Sequence, residues 1–193
     1  MKRVFLLLAV VFVIGSVSAQ VVWGIRAGAS LPTLTASEGD TWEGQFGLEA
    51  GPVLYYSLQN NFYINAGALF NMNTFTEKDE DYKVSINISY IDIPVYLGYS
   101  IPLGGLDTYA QIGPYFGLKL SAKESWSYDG ESESQDIEGI TSFNAGIGAM
   151  YGININRFKF EVGYKQGLTN LIKDSGDYKL TLGSIFLGVS YVF

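Results

Sequence analysis

The 193-residue chain carries 12 basic and 19 acidic residues, no His and no Cys, for a net charge of −7. The length suits one domain. Without Cys there is no disulfide scaffold or thiol nucleophile, and without His the commonest general base and metal ligand is missing. Charged residues make up 16% of the chain, against roughly 25% in soluble domains, while 48% are hydrophobic and 23 are Gly.

Residues 1–19 read as a secretory signal peptide. Lys2 and Arg3 precede an apolar run over 4–14, Gly15 and Ser16 break it, and Val17-Ser18-Ala19 has the small-residue pattern of a cleavage site. The run is too short to span a bilayer, which takes about 20 residues. Cleavage after Ala19 would leave 10 basic and 19 acidic groups, a charge of −9, which argues against nucleic acid as a partner. Residues 20–193 then form a single domain.

From residue 21 onward the hydrophobic period is two, the signature of strands. Over 21–31, Trp23, Ile25, Ala27, Ala29 and Leu31 alternate with Gly24, Arg26, Gly28 and Ser30. Over 45–57, Phe46, Leu48, Ala50 and Leu54 oppose Gly47, Glu49, Gly51 and Tyr55. Over 62–73, Phe62, Ile64, Ala66 and Phe70 oppose Tyr63, Asn65, Gly67, Asn71 and Asn73. The fourth strand sets Ile91, Ile93, Val95 and Leu97 against Asp92, Pro94 and Tyr96. Ile86 and Ile88 before it have the opposite parity, so a bulge is expected near Tyr90-Ile91. The fifth strand sets Ile112, Phe116 and Leu118 against Gln111, Tyr115 and Lys119; the sixth, Phe143, Ile147 and Tyr151 against Asn144 and Met150. The seventh sets Phe158, Phe160, Val162 and Tyr164 against Lys159, Glu161 and Lys165, and the eighth sets Ile185, Leu187, Val189, Tyr191 and Phe193 against Ser184, Phe186 and Ser190.

The connections alternate in length. Residues 59–61, 102–107 and 154–156 read as tight turns; residues 35–44, 74–83, 121–140 and 171–178 read as longer polar loops. This is the pattern of an all-β, eight-stranded antiparallel up-and-down transmembrane barrel in a Gram-negative outer membrane, with long loops extracellular and both termini periplasmic. The loops hold 15 of the 19 carboxylates. Residues 129–136 could bind Ca²⁺ through oxygen ligands or bridge to lipopolysaccharide phosphates, but they lack EF-hand spacing and read as a solvated outer loop. No metal or cofactor is expected.

Alternation alone also allows a soluble lipocalin-like barrel with its apolar face inward. Composition decides between the two. The polar face is mostly Gly, Asn, Ser and Tyr, with seven isolated charges: Arg26, Glu49, Asp92, Lys119, Lys159, Glu161 and Lys165. Small residues and sparse mixed-sign charges suit a narrow lumen, where buried charges must be paired. A salt-bridged structural network along the barrel axis is therefore expected. Trp23, Tyr56, Phe62, Phe158 and Tyr191 on the turn side, and Phe46, Phe75, Trp126 and Phe143 on the loop side, fit interfacial belts. Pro52, Pro94 and Pro114 fall within strands and suggest bulges or bends. Tyr191 and Phe193 resemble the terminal signal by which outer-membrane barrels are recognised for assembly.

Five segments carry a wider resemblance. They are Gly24-Ile25-Arg26-Ala27-Gly28, Tyr90-Ile91-Asp92-Ile93-Pro94-Val95, Gly113-Pro114-Tyr115-Phe116-Gly117, Phe143-Asn144-Ala145-Gly146-Ile147-Gly148, and the run from Gly163 through Asn170. In order and spacing they resemble PorT-type outer-membrane barrels of Bacteroidetes. The resemblance implies an outer-membrane barrel and accounts for Pro94 and Pro114. It implies no catalytic residues, and some relatives take part in protein secretion. Gly67 stands where many members carry an acidic residue.

The expected function is a structural or interaction role through the acidic outer loops. The alternatives are a small pore or transporter, and an exported lipocalin-like binder of an apolar ligand. Enzymatic activity is not expected; Glu49, Asp92 and Glu161 are acid–base candidates only by elimination. The expected partners are outer-membrane lipid and a surface or secretion-system protein, with the barrel itself a monomer.

Overall fold

The structure, a computed structural model, describes residues 21–37, 39, 41–79, 82–128, 131–173 and 178–193. The expected signal peptide lies outside the described residues. Eleven strands follow one another: β1 (Val21–Ala36), β2 (Thr41–Glu43), β3 (Phe46–Ser57), β4 (Phe62–Gly67), β5 (Leu69–Asp79), β6 (Tyr82–Leu103), β7 (Leu106–Tyr128), β8 (Glu131–Asp136), β9 (Phe143–Ile155), β10 (Phe158–Gly167) and β11 (Leu180–Val192). Eight staves close a ring. β1 pairs with β3, β3 with β4 and β5 laid end to end, and these with β6; the ring continues through β7, β9 and β10 to β11, which returns to β1. All pairings are antiparallel, and closure leaves no exposed edge around the body of the barrel.

The three tight turns join neighbouring staves at one end. Asn60, Asn61 and Asn156 have φ of 58°, 65° and 55°, and Gly104 and Gly105 have 57° and 90°. Hairpin turns need this left-handed backbone, which Gly and Asn adopt at least cost. At the other end the chain departs from expectation. Residues 74–79, 82–83, 121–128 and 131–136 are strand and not irregular loop: β5 and β6 stay paired to Asp79↔Tyr82, and β7 pairs with β8 from Lys123↔Asp136 to Tyr128↔Glu131. The ladder persists there, but in sequence β8 and much of the end of β7 are polar at successive positions, so the alternation that marks a strand is lost.

The strand prolines leave the register undisturbed. Pro52 lacks an N–H, and so the ladder lapses opposite Ala68, whose N–H still reaches the Pro52 carbonyl at 3.1 Å. Pro94 leaves a matching gap on the other side of the same stave, between Ala66↔Val95 and Leu69↔Asp92. This two-sided gap divides β4 from β5. The one shift in the β6–β7 ladder lies where Ser89 faces Ser121 but Tyr90 faces Lys119, so Leu120 of β7 is the extra residue. A bulge near Tyr90 is therefore present but sits on β7, and Ile86 and Ile88 are not turned outward. Ile88 is buried on the lumenal side.

The outer surface is apolar. Leu187 is 65% exposed, with Ile25, Leu118, Val162 and Ile185 close behind. Among the described residues, the outward positions of the staves between turns and loop mouth carry no Asp, Glu, Lys or Arg. A charge facing lipid at mid-bilayer costs about 2–4 kcal/mol for Arg or Lys. This is the reverse of a lipocalin, whose apolar face points inward.

Candidate functional site: the lumen and its mouths

The lumen is filled rather than open. Tyr side chains cover glycines on other staves: Tyr63 covers Gly98 and Tyr109 covers Gly152 on the next stave, and Tyr96 reaches across β7 to Gly148. A Cβ on Gly98 would stand 2.1 Å from the Tyr63 ring, so the stave must present bare backbone there. This pairing explains why the lumenal face is rich in both residue types.

Five of the seven predicted lumenal charges meet in the middle of the barrel. Arg26 of β1 pairs with Glu161 of β10, and its Nε lies 3.5 Å from Glu49 of β3. Lys165, two repeats of the pleat beyond Glu161 along β10, pairs with Glu49 and lies 3.3 Å from Asp92 of β6. Each of the five is at most 5% exposed. Neutral groups extend the chain of contacts at both ends. Asn71 donates to Asp92 at 2.7 Å and Asn73 to Asn71 at 3.2 Å; Gln111 and Tyr109 donate to Glu161 at 3.0 and 3.1 Å. Every carboxylate in the cluster faces a cation, so none is a free acid or base.

Lys119 and Lys159 stand apart from this cluster. Lys119 donates to the Ile140 carbonyl at 2.7 Å, near the loop end. Lys159 donates to Asn154 at 2.6 Å, near the turn end. All seven charges share the lumenal parity of their strands, but the structure brings only five of them together. The neutral donors Asn71, Asn73 and Gln111 share that parity and complete the network, although no charge marks them in the sequence.

Toward the loops the filling becomes apolar. Phe75, Ile88, Tyr90, Ala122, Leu171 and Leu182 form a buried cluster, with Leu34, Ile86, Ile137 and Ile140 packed against it. Leu171 reaches in from the β10–β11 connection, held by a hydrogen bond from its N–H to the Leu180 carbonyl at 2.8 Å. Asn170 beside it accepts from the N–H groups of Ile172 and Leu180. Phe75 is therefore part of this cap and not of an interfacial belt. Trp126 lies on the extension of β7 beyond the bulge, with the parity of inward Ala122.

Residues 17–173 match the family described as outer membrane protein beta-barrel domain. The chain belongs to that family. It is a protein of the Gram-negative outer membrane. Its fold is similar to the crystal structure of Neisserial surface protein A, with 14% identity over 89% of this chain and 97% of that one and a TM-score of 0.52. It is equally similar to Ail, the attachment invasion locus protein of Yersinia pestis, with 16% identity over 89% and 98% and a TM-score of 0.52. Ail in complex with the heparin analogue sucrose octasulfate gives 17% identity over 90% and 99% and a TM-score of 0.51. At these identities the likeness is one of fold. No curated protein is similar enough in sequence to count as a relative.

As an outer-membrane barrel, the molecule carries aromatic pairs where headgroups would meet them. Phe158 packs against Tyr191 at 5.2 Å and Tyr191 against Phe193 at 5.5 Å, on the outer face beside the turns. Phe62 and Tyr99 add a pair at 4.8 Å at the same level. On the loop side, Phe116 and Phe143 stack at 6.4 Å. At the turn end the lumen opens into a vestibule of roughly 440 Å³ below Lys159.

Proposed function

We propose that the protein is a closed, non-enzymatic interaction barrel of PorT type whose acidic extracellular ribbons bind a partner with a basic surface. The observation that carries this reading is the contrast between a filled lumen and the β5–β6 and β7–β8 ribbons that run on past it. A pore would need the opposite: an open lumen and short walls. The ribbons are well placed to meet other molecules because the short turns of such barrels face the periplasm and the longer connections face outward.

The acidity of the connections selects the partner. Glu43, Glu77, Glu133, Asp136 and Glu138 are all exposed beyond the barrel. Ail is known in complex with sucrose octasulfate, a polyanion; these ribbons would repel one, and electrostatic complementarity favours a basic protein surface instead. A secretion-system component of the envelope fits the PorT-type resemblance. The role of an acidic residue on the third stave does not carry over, because Gly67 sits there. A Cβ at Gly67 would lie 2.9 Å from the Pro52 carbonyl oxygen.

Cross-linking in intact cells, with identification of the captured protein, tests this. The expected result is a basic envelope partner whose capture falls at high salt and in a Glu133→Ser, Asp136→Ser, Glu138→Ser variant. Stable open channels in planar bilayers would overturn the closed-barrel reading.

A further inference from the structure

We infer that the turn-side vestibule is a binding site for a small periplasmic solute bearing an oxyanion, either a carboxylate or a phosphate. This goes beyond the extracellular role proposed above and lies at the opposite end of the barrel. The cavity, roughly 440 Å³, falls within the range of about 300–1,000 Å³ typical of small-molecule sites.

Lys159 forms its roof. The Nζ stands 4.0 Å from the ring centroid of Tyr109, 5.0 Å from Tyr55 and 5.5 Å from Tyr63, so three aromatic rings hold the ammonium. One of its three donors goes to Asn154. Unlike Arg26 and Lys165, it has no carboxylate within 4.0 Å among the described residues. Arg26 and Lys165 are matched to acids and Lys119 donates to a backbone carbonyl, whereas Lys159 lines an open vestibule. Arg157 stands on the rim and donates to the Tyr191 hydroxyl at 3.4 Å. Asp107 is the one carboxylate among the described lining residues. Two cations against one acid make this mouth locally positive in a chain whose net charge is −7. Around the cations, the Asn61, Asn154 and Asn156 amides offer donors and acceptors for the rest of the solute.

Isothermal titration of the intact protein in lipid nanodiscs tests the inference with three probes: N-acetyl-Ala-Ala, its C-terminal amide, and inorganic phosphate. The acid, the phosphate or both should bind saturably while the amide does not. Binding of the acid alone identifies a carboxylate-bearing solute as the source; displacement of the acid by phosphate identifies a site shared by both. Lys159→Gln should weaken binding about tenfold or more, the scale of one lost charge-assisted hydrogen bond, and Lys159→Arg should retain it. The acid-against-amide contrast needs no variant, so it stands even if Lys159→Gln fails to fold. Equal binding of acid and amide, no heat from either anion, or unchanged binding in a folded Lys159→Gln protein would overturn the inference.

Discussion

Between β1 and β10 the lumen is filled by charge, with Arg26 and Lys165 holding Glu49, Asp92 and Glu161. Nearer the loops the same tube is filled by Phe75, Ile88, Tyr90, Ala122, Leu171 and Leu182. The two fillings differ in what they demand. An ionic cluster withdrawn from water holds only if each charge keeps its partner, since desolvation costs several kcal/mol per ion. An apolar cap demands volume and little else, and it tolerates repacking. The first fixes the relative register of β1, β3, β6 and β10. The second keeps water from descending on that cluster from outside.

The largest effect should come from removing a doubly paired charge. Arg26→Ala leaves Glu49 and Glu161 facing each other without their shared cation, and breaking a buried pair in this way costs about 3–5 kcal/mol. Urea unfolding in detergent, followed by Trp fluorescence, should show that loss. A change below about 1 kcal/mol would mean that the cluster is hydrated, and the contrast with the cap would collapse. The cap should be less sensitive. Ile88→Ala opens a cavity worth roughly 2–4 kcal/mol in the same assay, while Ile88→Leu should cost less than about 1.5 kcal/mol. Equal losses for Leu and Ala would show that the cap is as shape-specific as the ionic cluster.

The two regions also differed in how far the sequence revealed them. Period two placed Arg26, Glu49, Asp92, Glu161 and Lys165 on one face, because polar and apolar residues alternate cleanly wherever one side meets lipid. It could not say which charge meets which. That depends on the stagger of staves 116 residues apart, as Lys165 and Glu49 are. The cap defeats the rule outright. Ile86, Ile88 and Phe75 are apolar on the lumenal parity, and alternation reads such residues as a slipped strand or a belt. The bulge at Leu120 and the matched gaps at Pro52 and Pro94 were hidden for a related reason: a proline marks a missing donor, but only the neighbouring stave shows whether the register moves. Vestibule and ribbons were least visible, since turns and two-sided polar strands carry no alternation.

A smaller effect separates the turn-side region from both. Gly98→Ala puts a methyl group into the Tyr63 ring, which forms part of the cage around Lys159. Overpacking of this kind costs about 1–3 kcal/mol. The ring can tilt toward the open vestibule, so the loss should fall at the lower end, and thermal unfolding should show a modest decrease. A loss as large as that of Arg26→Ala would mean that the shelf of rings and glycines, and not the ionic cluster, holds the staves in register.

The smallest effect belongs outside the barrel. Glu133 of β8 is exposed and sits opposite Trp126 on a ribbon that only β7 supports. Glu133→Lys should change stability by no more than about 0.5 kcal/mol, as surface substitutions do. The same change reverses a charge in the field that a basic partner would meet, so cross-linking to that partner should fall. The pairing of outcomes is what matters. In the lumen, charge serves the fold, and altering it is expected to register in unfolding. On the ribbon, the Glu133 charge is exposed to solvent, and altering it is expected to register only in binding. A variant that lost stability but kept its partner would place Glu133 with the lumenal charges and remove the reason for assigning recognition to the ribbons.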